Sequence, residues 1–194
     1  HCASNECFDM QDNGLYNLAN SITYLDSMTY TALTGEQNEE PLVNQATVFC
    51  NTLTVVGKCI ACLRPDNAVY THIGRVIGKA PLGTAQADLW TNLPTGVYQH
   101  RSGNVASGPC YIGSIEGQFT SSIFRTGFAS GTTEKLIVDN CNIDLINVDQ
   151  IDVNTDWVKS NWFNIDGALE IHVKDLTVRI WDILDALTSS TGDY

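Results

Sequence analysis

The apolar residues fall into three textures along the chain. From Gly14, the residues Leu15, Leu18, Ile22 and Leu25 recur three and four positions apart, the spacing of one helix face. Asp12 and Asn13 stand just ahead of them as candidate caps. The spacing predicts an N-terminal helix that continues weakly through Thr29 and Ala32. The polar stretch from Gly35 to Pro41 closes it as a linker.

Between Leu42 and Val138 the pattern becomes strand-like. Branched and aromatic residues come in short runs, at Ala46–Leu63, Val69–Ile77, Leu89–Val97, Cys110–Ile115, Phe119–Phe128 and Lys135–Val138. Turn residues cut them apart, as in Arg64-Pro65-Asp66-Asn67 and Ser107-Gly108-Pro109. Proline presets φ at one corner of a turn, and asparagine tolerates the left-handed region at the next. Many short runs with frequent turns predict an antiparallel β-sandwich or barrel.

From Asn140 the texture shifts again. Asn142-Ile143-Asp144, Asn147-Val148-Asp149, Gln150-Ile151-Asp152 and Asn164-Ile165-Asp166 each join an amide, a branched residue and an aspartate. Their spacing is irregular, unlike the fixed periods of solenoid repeats. Leu169, Ile171 and Val173 alternate strictly, and after one slip Leu176, Val178 and Ile180 do the same. Ile180, Ile183, Leu184 and Leu187 return to helical spacing, which predicts a short terminal helix. The expected organisation is an arm and helix at 1–41, a β domain at 42–138 and an Asp-rich β-ribbon with a short helix at 139–194. A narrow ribbon with one apolar face cannot bury that face alone. It needs the central domain or further copies, for which a threefold axis is one solution.

Composition narrows the function. The 194 residues are 43% hydrophobic, enough for a core, and only 16% charged, below the roughly 25% usual for soluble domains. Twenty-two acidic residues against ten basic ones give a net charge of −12. The lysines and arginines are scattered, so no basic face exists for nucleic acid or an anionic membrane. No apolar run approaches the roughly 20 residues of a membrane-spanning helix. The chain begins at His1 rather than Met, as a processed or trimmed product would.

Seven cysteines, Cys2, Cys7, Cys50, Cys59, Cys62, Cys110 and Cys141, leave two readings open. They are bridges in an oxidising compartment, with Cys2 joined to Cys7, or they are small buried hydrophobes. Cys59-Ile60-Ala61-Cys62 has redox spacing but lies in a strand-like run. Cys50, Cys59 and Cys62 supply three zinc-type ligands without a histidine at finger spacing.

The remaining chemistry is sparse. No Gly-x-Ser-x-Gly elbow and no phosphate loop occurs. An amino-terminal histidine can brace copper through its amine and ring, with His72 or His100 as second ligand and Tyr98 or Tyr111 nearby. His72 and His172 read more simply as strand histidines. Asp144, Asp149 and Asp152, in a series running from Asp139 to Asp156, are candidate cation ligands, against the simpler reading of a solvated face. Trp90 and Tyr111 read as core, which leaves Tyr98, His100 and Arg101 as candidate receptor contacts. No cofactor is expected.

Four stretches carry a resemblance. Val69–Val76, Leu89–Tyr98 with its Leu93-Pro94-Thr95-Gly96 turn, and Cys110–Phe119 resemble the tip domains of bacteriophage tail fibres and baseplate receptor-binding proteins. Ile165–Ile171 resembles the strands of phage fibre shafts. The resemblance implies a homotrimeric, β-rich virion protein at the particle surface, partnered by other virion proteins and touching a host-surface glycan or protein. The expected role is therefore non-enzymatic assembly and recognition. The alternatives are a secreted disulfide-stabilised β-sandwich binding protein, or a copper-dependent oxidative enzyme using His1.

Overall fold

The computed structural model describes residues 8–11, 14–32, 40–100, 107–120, 123–127, 134–147, 163–166 and 169–182. The strands are β1 (Phe8–Gln11), β2 (Gly14–Asn17), β3 (Ile22–Thr31), β4 (Leu42–Asn44), β5 (Thr47–Val56), β6 (Leu63–Pro65), β7 (Tyr70–Lys79), β8 (Tyr98–His100), β9 (Cys110–Phe119), β10 (Phe124–Gly127), β11 (Glu134–Asn147), β12 (Phe163–Asp166) and β13 (Leu169–Asp182). A single 3₁₀ turn, Gln86–Thr91, is the one helical element among the described residues.

From β2 onward, short and long strands alternate and go to different sheets. The short strands make one sheet in the order β1-β2-β4-β6-β8-β10-β12, and the long strands make the other in the order β13-β11-β9-β7-β5-β3. Neighbours pair in parallel throughout, save the antiparallel β1–β2 hairpin at one end. A chain that lays down a short strand, then a long one, then returns one position further along the first sheet is winding. Each coil stacks on the last, and the fold is a two-sheet parallel β-solenoid.

This overturns the antiparallel sandwich or barrel with an N-terminal helix. Alternation along a strand reports which side chains face inward, but the direction of the neighbour depends on the route of the connection. Leu15, Leu18, Ile22 and Leu25 belong to no helix. Leu15 lies in β2 and Leu25 in β3, both packed on the core, while Ile22 is 41% exposed on the opposite face of β3. Their helical spacing is the sum of two strands and the corner between them. The caps Asp12 and Asn13 lie outside the described residues. At the other end, Ile180 is still in β13, and residues 183–194 lie outside the described residues. The ribbon is a further coil, the last among the described residues: β13 pairs along its length with β11, and Ile171, Val173 and Val178 pack against the core. Of the two covers that the sequence left open, the chain's own body or further copies, the solenoid itself supplies one. The expected boundary after residue 138 falls inside β11.

The long strands share one internal pattern. In β5, Val48, Cys50, Leu53 and Val55 are buried while Asn51 and Thr52 both face out. The same phase slip occurs after Ile73 in β7, Ile112 in β9, Val138 in β11 and Val173 in β13. Register stacks these slips on one another, so the long-strand sheet bends along a continuous line. Inward rows such as Cys50-Ile73-Ile112-Val138 then close against Leu42, Leu63, Tyr98 and Phe124 of the short strands. The repeat escapes a fixed-period search because the connections vary from the short Val56–Leu63 link to the long Lys79–Tyr98 link.

Buried amides fix the corner between the sheets. Asn17 Nδ2 donates to Asn44 Oδ1 at 2.8 Å, and Asn44 Nδ2 donates to Thr71 Oγ1 at 2.7 Å. Ser21 and Thr23 hydroxyls donate to Asn17 Oδ1. The ladder satisfies backbone groups that the corner takes out of the sheets.

Candidate functional site

The outer face of the long-strand sheet carries a row of rings. Tyr24, Phe49, His72 and Tyr111 lie at the same register position of β3, β5, β7 and β9, one residue after the first inward side chain of each strand. Tyr24 and Phe49 stack with centroids 5.0 Å apart and planes 7° apart. His72 lies 6.0 Å from Phe49 and 4.7 Å from Tyr111. Tyr70, one row over, tilts against both Phe49 and His72. Neighbouring parallel strands sit about 4.8 Å apart, so one outward position repeated over four coils brings aromatic side chains into contact.

The row ends in water. Tyr24, on the sheet edge formed by β3, is 55% exposed; one face of its ring rests on Phe49 and no strand covers the other among the described residues. Ile22, beside it, and Val69, next to Tyr70, are also exposed. An exposed apolar and aromatic patch on an otherwise polar sheet is the usual mark of a contact surface. The far end is polar. Tyr111 donates its hydroxyl to Asp139, and that hydrogen bond, with burial and the carboxylate charge, raises the phenol above its ordinary pKa.

Polar groups border the rings. Arg75 Nε donates to Glu116 Oε1 at 3.0 Å across β7 and β9, and the guanidinium holds the Glu116 carboxyl below its ordinary value. Asn51 reaches Asp26 at 3.4 Å. Thr29, Thr52 and Thr54 complete the face. The surface offers ring edges, one ring face, hydroxyls, amides and a fixed ion pair.

No protein-family model matches this chain, and neither the curated proteins nor the solved structures provide a match.

The residues singled out in the sequence are dispersed. Tyr98 is 1% exposed on β8, its ring in the core between the sheets, so it offers no surface to a receptor. His100 ends β8, and Arg101 lies outside the described residues. Trp90 falls in the 3₁₀ turn. Tyr111, read as core, instead stands half-buried in the outer row. Asp144 accepts from Arg179 Nε at 2.5 Å, while Asp149 and Asp152 lie outside the described residues. His1 lies outside as well; His72 is part of the aromatic row, and His172 contacts Glu170 on β13. Among the described residues, no three His, Cys, Asp or Glu side chains are grouped to hold a metal ion.

The described cysteines belong to the interior. Cys50, Cys62 and Cys141 carry free thiols, and Cys59 and Cys110 are fully buried in the same core. Burial pushes the Cys50 and Cys141 thiols up to about 11, which leaves them protonated and inert at neutral pH. Cys2 and Cys7 lie outside the described residues. A separate buried ion group sits on the short-strand sheet. Arg64 reaches Glu40 at 3.0 Å and Asp66 at 3.2 Å, with the Tyr16 ring 5.9 Å away. It ties the stretch before β4 to β6.

The ring row is the feature that sequence reading missed. Its members are far apart along the chain and alike only in position. Aligning the phase slips would have found it: in Val48-Phe49-Cys50, Thr71-His72-Ile73 and Cys110-Tyr111-Ile112, the ring always stands between the two inward residues before the slip.

Proposed function

We propose that the chain is a surface-recognition protein that works by binding rather than turnover, and that the outer face of its long-strand sheet is the contact surface. The observation that carries this reading is the register-aligned row Tyr24-Phe49-His72-Tyr111, open to solvent at Tyr24. Rings combine large apolar area with few rotatable bonds and polar tips, so they bind at low ordering cost. The bordering carboxylates, amides and threonines suit a hydroxyl-rich ligand, and an extended glycan following the row is the ligand class proposed. A rigid solenoid presenting such a face fits the host-contacting part of a virion, the setting implied by the tail-fibre resemblance.

Retention on a printed array of bacterial and animal surface glycans tests the proposal. Wild type should bind a defined subset of glycans. Tyr24→Ala and Tyr111→Ala should each weaken binding at least about tenfold, as expected when an aromatic anchor is truncated. Leu82→Ala, at a fully exposed loop position away from the row, should bind as wild type does. Equal binding by the ring variants, or no binding to any glycan, rejects this surface as the glycan contact.

A further inference from the structure

The strand β13 is complementary to itself. Among the described residues β13 is an edge of the long-strand sheet, paired on one side with β11. Its inward side chains are only partly covered: Ile171, Val173 and Val178 are half-buried and Leu176 is 46% exposed. Its outward side chains are Glu170, His172, the consecutive pair Lys174 and Asp175, then Thr177 and Arg179. Read from the centre of the Lys174–Asp175 pair, the two halves mirror each other in burial and invert in charge. Lys174 answers Asp175, Val173 answers Leu176, His172 answers Thr177, Ile171 answers Val178, and Glu170 answers Arg179.

We infer that β13 pairs antiparallel with β13 of a second copy of this chain, about a twofold axis between Lys174 and Asp175. Twofold contacts are self-complementary, so a residue at one end meets its counterpart from the other end. In this register every apolar inward residue faces an apolar inward residue. Both charged pairs, Lys174 with Asp175 and Glu170 with Arg179, meet with opposite sign and occur twice.

The phase slip and the charges together select the register. A one-residue slide sets inward positions of one copy against outward positions of the other along nearly the whole strand, and a two-residue slide does so at the centre and separates both charged pairs. The outer charges are already held on the sheet. Arg179 donates to Asp144 at 2.5 Å and to Asn142 at 2.8 Å, and Glu170 lies 3.5 Å from Lys135 and beside His172. Charges on an edge strand ordinarily oppose pairing; here they permit one register and penalise the others. The opposite edge, β3, lacks this symmetry, since Asp26 is its lone charged residue.

Sedimentation equilibrium of the full chain tests the inference, which does not depend on the recognition proposal. A contact built around one strand pair is small, so wild type should show a monomer–dimer equilibrium with a Kd on the order of tens of micromolar. Lys174→Glu sets like charges opposite each other twice and should raise that Kd at least about tenfold. The exchange K174D/D175K keeps opposite signs across the axis and should return the Kd to within about threefold of wild type. Hydrogen exchange supplies a second readout that needs no variant: the outer-edge amides of β13 should gain protection as concentration rises. A wild type that stays monomeric at millimolar concentration overturns the inference. So does a trimer, or a dimer insensitive to Lys174→Glu, or failure of the exchange to restore pairing while circular dichroism shows both variants folded.

Discussion

Asn44 has no contact with water, and its amide is used on both sides. Its oxygen accepts from Asn17 and from the Ala46 backbone, and its nitrogen donates to Thr71 and to the Tyr70 carbonyl. One side chain therefore joins three successive coils at the corner between the sheets. Asn44→Ala would leave a buried amide, a hydroxyl and a backbone N–H short of partners, each at a cost well above the net worth of one hydrogen bond. The expected loss is about 2–4 kcal/mol. Urea denaturation should show it as a lower midpoint with an unchanged slope, and a loss under about 0.5 kcal/mol would mean water replaces the amide. Asparagine at a corner is legible in sequence as turn chemistry. That two such residues sit above one another is not, because it depends on coil length.

Among the elements, the long strands hold closest where side chains are absent. Gly117 in β9 has φ +107°, and a Cβ there would lie 2.0 Å from the Gly78 carbonyl oxygen on β7. Gly83, in the loop after β7, also has positive φ, at +85°, but nothing lies within 4 Å of its Cβ direction. The pair separates strain from contact. Gly83→Ala should cost only the backbone penalty, about 1 kcal/mol. Gly117→Ala should cost about 2–4 kcal/mol, because β7 and β9 must also part. Thermal melts of the two variants check this, and equal losses would mean the strands yield easily. At this scale the sequence was partly readable. Pro65-Asp66-Asn67 does turn, with Asn67 at φ 62°, and the slip within Leu169–Ile180 was visible as a slip. It was visible once, however, and its recurrence in the earlier strands identifies a coil.

For the whole molecule, one continuous core runs from β3 to β13, and Cys50 and Cys141 lie within it. Their thiols, pushed up to about 11 by burial, react only when the interior opens. Iodoacetamide at neutral pH, read by peptide mass spectrometry, should leave both unmodified in the native protein. Both should be modified together across the unfolding transition, at rates that follow global stability. Modification of one well before the other would show that the coils around β5 and those around β11 open separately, as nearest-neighbour stacking in solenoids permits.

What the sequence determined alone was local: strand periodicity over most of the chain, the turns and the acidic balance. These follow from each residue's own chemistry and that of its near neighbours. What the tertiary structure decided was non-local. The parallel winding, the strands where a helix was expected, the ring row and the burial of Tyr98 all depend on which coil lies beside which. Irregular connections erase that from any fixed period. The physical reason is that alternation fixes the face a side chain takes, while only closure of the coils fixes the neighbour it meets there.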